Sequence, residues 1–169
     1  MTVFLRFCDV VDRLTGYIDR VCRWGLIFAS GFILILLMTQ VLMRYVLRSP
    51  LPWVEELSTY ALGFMILWGA ACYVRTWQHV RVGALSARLP MTLRSAILIG
   101  LNLLLVMVAW LLVTSGYKLA QLGVRELSPS GSFIMYWPRQ AMTTGGVLIL
   151  IQASNNVLRV LSGRHQGML

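Results

Sequence analysis

Four stretches of the chain lack ionisable side chains altogether. No Asp, Glu, Lys, Arg or His occurs in residues 24–43, 57–74, 95–117 or 140–158 of the 169. Each stretch approaches the ~20 apolar residues with which a helix crosses ~30 Å of hydrocarbon, and a helix satisfies its own backbone polar groups there. The sequence therefore predicts an all-α integral membrane protein with four transmembrane helices, at about residues 24–43, 57–74, 95–117 and 138–158.

The same absence limits the function. Proton relays, ion pathways and sites for charged substrates place ionisable residues inside membrane spans, and these four stretches have none. The longest connections, residues 75–94 and 118–139, are too short to form an independently folded domain. We therefore expect one membrane domain that does not conduct ions itself.

The sequence also lacks the patterns of metal, redox and enzyme sites. Cys8, Cys22 and Cys72 form no CxxC motif. His79 and His165 lie outside the spans and cannot ligate a haem within the bilayer. No nucleophile elbow or Gly-rich phosphate loop is present. We expect a protein that is not an enzyme and that has no catalytic residue, metal or cofactor.

The charge that is present is basic and lies at the ends of the spans. The net charge is +9, with fifteen basic residues. Anionic lipid headgroups attract such residues, so we expect membrane lipids and not nucleic acid as a partner. Ten of the fifteen lie before the first span, between the second and third, or after the fourth. The positive-inside rule then predicts that both termini are cytoplasmic.

The first segment of the chain is amphipathic. Apolar residues recur on one helical face, and charged residues occupy the opposite face. We expect residues 1–23 to form an interfacial helix that lies along the membrane surface and continues into the first span. Residues 24–161 then form the four-helix membrane domain and residues 162–169 a cytoplasmic tail. The apolar positions are Phe4, Phe7, Val11, Leu14, Ile18 and Val21.

The connection between the first two spans contains prolines, acids and a tryptophan. Pro50 and Pro52 end one helix and start the next. Glu55 and Glu56 then occupy a first helical turn, where acids are favourable, and Trp53 lies at the interfacial belt. Two interpretations stay open, a helix start alone and a contact with a partner.

Small and polar residues occur within the spans. Gly63 and Gly69-Ala70-Ala71 form a smooth patch in the second span, and Ala141, Gly145 and Gly146 form another in the fourth. Such residues let helices approach closely, and four helices cannot bury every face, so we expect some faces to meet another polypeptide. The fourth span also has a polar stripe, which we interpret as interhelical hydrogen bonds in preference to a substrate path. Its members are Thr143, Thr144, Gln152, Ser154, Asn155 and Asn156.

Short motifs along the chain resemble one known family. They are Arg44-Tyr45, the segment from Pro52 to Ser58, Gly69-Ala70-Ala71, Arg75, and His79-Val80-Arg81-Val82. With its four predicted spans, the chain resembles the small membrane subunit (Q-type, DctQ-like) of tripartite ATP-independent periplasmic (TRAP) transporters over essentially its whole length. It departs from the family at Gly83, where an acid often stands.

The resemblance implies a role in a three-part importer of the bacterial inner membrane. A periplasmic substrate-binding protein captures an organic acid, a large multi-spanning subunit imports it with sodium, and the small subunit acts as a scaffold for the large one. On this view a segment at the periplasmic boundary contacts the partners. The residues proposed for partner contact are Arg44, Trp53, Glu55, Glu56, Gly69, Arg75 and His79.

Two other functional classes stay open. One is a stand-alone four-helix membrane protein with a structural or lipid-binding role. The other is an intramembrane enzyme, which requires a polar cavity with an acid or base. The sequence offers no candidate residue for the second class.

Overall fold

The computed structural model describes residues 2–75 and 91–161, with side chains for residues 10–75, 97 and 99–158. Four α-helices make up this described part: α1 (Thr2–Tyr45), α2 (Pro52–Arg75), α3 (Met91–Leu122) and α4 (Tyr136–Leu161). A 3₁₀ turn, Gly123–Arg125, and an isolated bridge between Leu127 and Ile134 join α3 to α4. The all-helical class is confirmed, whereas the predicted tail lies outside the described residues.

Three helical stretches in the described part are long and apolar enough to cross a membrane. They are Val10–Tyr45, Pro52–Arg75 and Ile99–Arg125. Helix α4 is not among them, because polar residues such as Gln152 and Asn156 lower its mean hydropathy. Both side chains are buried, at 2% and 1% exposure. The polar groups of α4 therefore lie among the other helices.

Helix α1 is continuous through residue 23, where the predicted interfacial segment meets the first span. It runs from Thr2 to Tyr45, and 44 residues at about 1.5 Å each give a length of about 66 Å. Its N-terminal half is held by α4, since Asn155 donates a hydrogen bond to the Thr15 hydroxyl over 3.0 Å. The amphipathic segment therefore extends the first helix and packs against the bundle.

The turn between α1 and α2 shows how the prolines separate the helices. Arg48 adopts a left-handed conformation, with φ +52°. The amide of Ser49 donates back to the Met43 carbonyl over 3.0 Å. A residue in the left-handed conformation commonly closes the C-terminal end of a helix, and proline often follows it. Pro50 follows here, and α2 begins at Pro52, as the sequence predicts.

Helix α4 lies at the centre of the bundle, where it packs closely against α2 and α3. A Cβ added at Gly145 would lie 2.5 Å from the Cβ of Leu67 on α2. A Cβ added at Gly116 on α3 would lie 2.9 Å from the backbone nitrogen of Thr143. Glycine is therefore required for these two close approaches. The surrounding core consists of Ala71, Val74, Ala109, Ile149 and Ala153.

Candidate functional site

Helix α2 has one face against α4, one against α1 and one that the described chain leaves open. On the α4 side, Asn156 donates through Nδ2 to the Val74 carbonyl over 2.7 Å. The Trp68 indole nitrogen donates to the Thr144 hydroxyl over 3.2 Å. The prediction that polar groups of the fourth span form interhelical hydrogen bonds is confirmed at these residues. They hold α4 to α2 near both the middle and the end of α2.

The α1 side of α2 ends in an ionic network, named here the charged cluster: Asp12, Asp19, Arg23 and Arg75. The Arg75 guanidinium lies 3.9 Å from a carboxylate oxygen of Asp12 and 3.9 Å from one of Asp19. Arg23 lies closer to Asp19, with Nε 2.9 Å from Oδ2. The Arg75 side chain is only 16% exposed. The charges of these four residues are therefore largely paired with one another within the chain.

Helix α4 completes this end of the bundle. Asn155 donates through Nδ2 to a carboxylate oxygen of Asp12 over 3.2 Å, besides its bond to Thr15. Gln152 donates through Nε2 to the Thr15 carbonyl over 3.4 Å. Interhelical polar contacts of this kind contribute about 0.6 kcal/mol each in membranes. Three helices are thus joined at one end by polar contacts.

Sequence reasoning missed the charged cluster because it assigned the acids of the first segment to a solvated face. One signal was available. Asp12 and Asp19 are seven residues apart, so they lie on the same side of a helix and can both face one arginine. Arg75 is the last residue of α2 and comes directly after an uncharged stretch of eighteen residues.

The third side of α2, named here the open face, consists of residues spaced alternately four and three apart. Leu62 is 43%, Ile66 60% and Tyr73 54% exposed. A Cβ added at Gly69 would meet no described atom within 4 Å. The face therefore offers apolar side chains, a small residue and a carboxylate along one line. Its members are Glu55, Thr59, Leu62, Ile66, Gly69 and Tyr73.

At the other end of α2, Glu56 binds the loop that precedes α4. Its carboxylate accepts hydrogen bonds from the Ser130 amide and hydroxyl, each over 2.7 Å. The loop folds back on itself, because the Ser128 amide donates to the Phe133 carbonyl over 2.7 Å. Gly131 occupies the turn with φ +71°, a conformation that favours glycine. Glu56 thus holds this loop against α2.

The residues predicted for partner contact fall into two groups. Glu56 and Arg75 contact other parts of this chain, as described above. Arg44, Trp53 and Glu55 are exposed, and Trp53 is 39% exposed.

Glu55 accepts a hydrogen bond from Gln40 of α1 over 3.4 Å, and no ion pair joins Arg44 to Glu55 or Glu56. Gly69 lies on the open face, and His79 lies outside the described residues.

The polar groups described above join the helices of this chain to one another. Among the side chains that the structure describes, in residues 10–75, 97 and 99–158, no group of three or more His, Cys, Asp or Glu could hold a metal ion. The polar side chains that α4 directs at α1 and α2 bind the backbone or side chains of those helices. The arrangement positions helices and presents one open face.

Comparison with known proteins identifies the family. The family model "Tripartite ATP-independent periplasmic transporters, DctQ component" matches residues 33–163. The chain is also similar to the sialic acid TRAP transporter small permease protein SiaQ of Vibrio cholerae serotype O1. The two are 25% identical over 130 residues, which cover 76% of this chain and 75% of the relative. The chain is therefore a multi-pass membrane protein of the DctQ family, the small, non-catalytic permease component of a TRAP transporter.

Proposed function

We propose that this chain is the scaffold that braces the large, sodium-coupled elevator subunit of its transporter. One observation carries the proposal. Residues 24–43, 57–74, 95–117 and 140–158 contain no ionisable residue, whereas α2 presents an open face of mixed chemistry. Ionisable residues within spans mark ion pathways, proton relays and sites for charged substrates. A bracing subunit needs a stiff surface that another protein can bind.

The membrane arrangement is part of this proposal. All four helices cross the bilayer, and α4 crosses as the inner helix because its polar side chains are covered by α1 and α2. Both termini are cytoplasmic, as the excess of basic residues on that side favours. The charged cluster then lies at the cytoplasmic boundary and Glu56 at the periplasmic boundary of the inner membrane.

The open face of α2 is the proposed contact with the large subunit. A surface that faces lipid is expected to be apolar, and the middle of α3 has this character, with Leu103, Met107 and Trp110 55%, 58% and 61% exposed. The open face instead includes Glu55 and a glycine at which a neighbouring backbone can approach closely. Those features favour a protein neighbour over lipid.

At the periplasmic end, Trp53, Glu55 and Arg44 are proposed to contact the large subunit or the docked substrate-binding protein. All three are exposed at neighbouring helix ends. His79 is a further proposed contact on the cytoplasmic side. The transported substrate is proposed to be an organic acid. The relative SiaQ is named for sialic acid, and 25% identity supports only that general class for this chain.

The test is a mild-detergent purification of the full chain from its native membranes, with mass spectrometry of what stays bound. The proposal predicts one large, many-spanning protein in stoichiometric amount. Recovery of the chain alone, or only with copies of itself, would instead favour a stand-alone structural or lipid-binding protein. A variant with Ile66→Arg on the open face should lose the large protein, and Leu104→Arg on α3 is the matched control.

A further inference from the structure

A groove lies over the charged cluster and is lined by α1 and by Arg75 at the end of α2. Its volume is about 610 Å³. It lies where the apolar part of α1 begins and where α2 ends, which places it at a membrane boundary. Four arginines and two aspartates contribute most of its lining. The lining residues are Asp12, Arg13, Gly16, Tyr17, Asp19, Arg20, Arg23 and Arg75.

The groove has more positive than negative charge, because four arginines and two aspartates line it. Asp12 and Asp19 already contact Arg75, and Asp19 also contacts Arg23. Arg13 and Arg20 are exposed, and neither forms an ion pair within the part of the chain that the structure describes. Because they are seven residues apart, they lie on the same side of α1. The groove therefore presents two arginines that can bind an anion.

An apolar stripe on α1 runs from the groove toward the membrane core. Tyr17 is 69%, Val21 54% and Trp24 68% exposed, and Tyr17 also lines the groove. At 100° per residue, Arg20 lies between this stripe and the ion-paired Asp19. Arg20 is four residues, or about 6 Å, before Trp24, which places its guanidinium at headgroup depth.

We propose that this groove binds the phosphate headgroup of an anionic phospholipid. Arg13 and Arg20 contact the phosphate, since guanidinium groups match the geometry of phosphate oxygens. Tyr17, Val21 and Trp24 contact the glycerol and acyl chains. A free phosphate ion would use the arginines but would leave the apolar stripe uncovered. The site involves no other subunit, so this proposal does not depend on the scaffold role.

The experiment is native mass spectrometry of the purified full chain after delipidation and addition of a defined lipid. Phosphatidylglycerol and phosphatidylcholine with identical acyl chains are compared. The wild-type chain should retain phosphatidylglycerol preferentially. The double variant Arg13→Gln with Arg20→Gln should bind phosphatidylglycerol about thirtyfold more weakly. Each basic residue near an anionic surface contributes about 1 kcal/mol, and 1.4 kcal/mol corresponds to a factor of ten.

The matched control removes two exposed basic residues from the other end of the bundle, with Lys118→Gln and Arg125→Gln. It should retain phosphatidylglycerol as the wild type does, and circular dichroism should show all variants helical. Equal weakening in the control, or no weakening in the Arg13 and Arg20 variant, would overturn the site. Displacement of the lipid by an equal concentration of inorganic phosphate would identify a phosphate site and refute the lipid.

Discussion

The face of α2 that packs against α4 and the open face of α2 differ in the size of the residues that they allow. On its α4 side, the backbone of α2 approaches so closely that a Cβ at Gly145 would lie 2.5 Å from that of Leu67. On the open face, a Cβ at Gly69 would meet no described atom within 4 Å. Two glycines that look alike in the sequence thus serve different purposes. The first holds this chain together, and the second leaves room for a neighbour.

The largest effect should come from enlarging Gly145, and the same change at Gly69 is its matched comparison. Gly145→Leu must separate α4 from α2, which should cost about 3 kcal/mol or more, at the upper end of overpacking. Gly69→Leu should leave stability within about 0.5 kcal/mol of wild type, because it meets open space. Thermal unfolding of the purified full chain measures both. Equal destabilisation by the two variants would remove the distinction between the two faces of α2.

Gly69→Leu has a second expected consequence. The added side chain should reduce co-purification of the large subunit while the chain stays folded. Full recovery of the large subunit with this variant would show that the contact lies elsewhere on the chain.

A smaller effect should follow from breaking the charged cluster. Arg75→Gln leaves Asp19, whose side chain is 12% exposed, without one of its two cations. We expect a loss of about 2 kcal/mol, below the range of fully buried pairs, because the charges lie 3.9 Å apart and Asp12 is 39% exposed. The exposed Arg44→Gln is the control and should be near neutral. If both variants unfold at the wild-type temperature, the cluster does not hold α1 to α2.

The smallest effect should come from the two adjacent acids at the start of α2. Glu56→Gln removes a charged acceptor from Ser130, so the amides of residues 128–133 should exchange hydrogen faster. Glu55→Gln should leave those amides unchanged, because Glu55 contacts Gln40 instead. Hydrogen exchange with peptide resolution separates the two. Faster loop exchange in the Glu55 variant alone would reverse their assigned roles.

The helical class and the helix boundaries near the prolines could be predicted from the sequence. Uncharged stretches and Pro50 with Pro52 are local signals that depend on no distant residue. The sequence predicted that Asn155 and Asn156 form interhelical hydrogen bonds, but it did not identify their partners. A polar stripe on one helix shows that hydrogen-bond partners exist and does not show which residues they are. The ion pairs of Arg75 could not be predicted. They depend on contacts between residues more than fifty positions apart.

The sequence also could not show which small residues pack against another helix of the same chain. Gly69 and Gly145 both lie in small-residue patches, and only the placement of α2 between α1 and α4 separates them. Glu56 also binds Ser130 within this chain, a contact that the sequence did not predict. Neighbouring acids can therefore have different partners when one faces a loop and the other faces outward.

The central claim is that the open face of α2 binds the large subunit. Its most direct test is a photo-crosslinking amino acid placed at Ile66, 60% exposed on that face, and separately at Leu104, 54% exposed on α3. In native membranes the account predicts a crosslink from position 66 to a large, many-spanning protein, and no protein crosslink from position 104. A crosslink to that protein from position 104 but not from position 66 would contradict it.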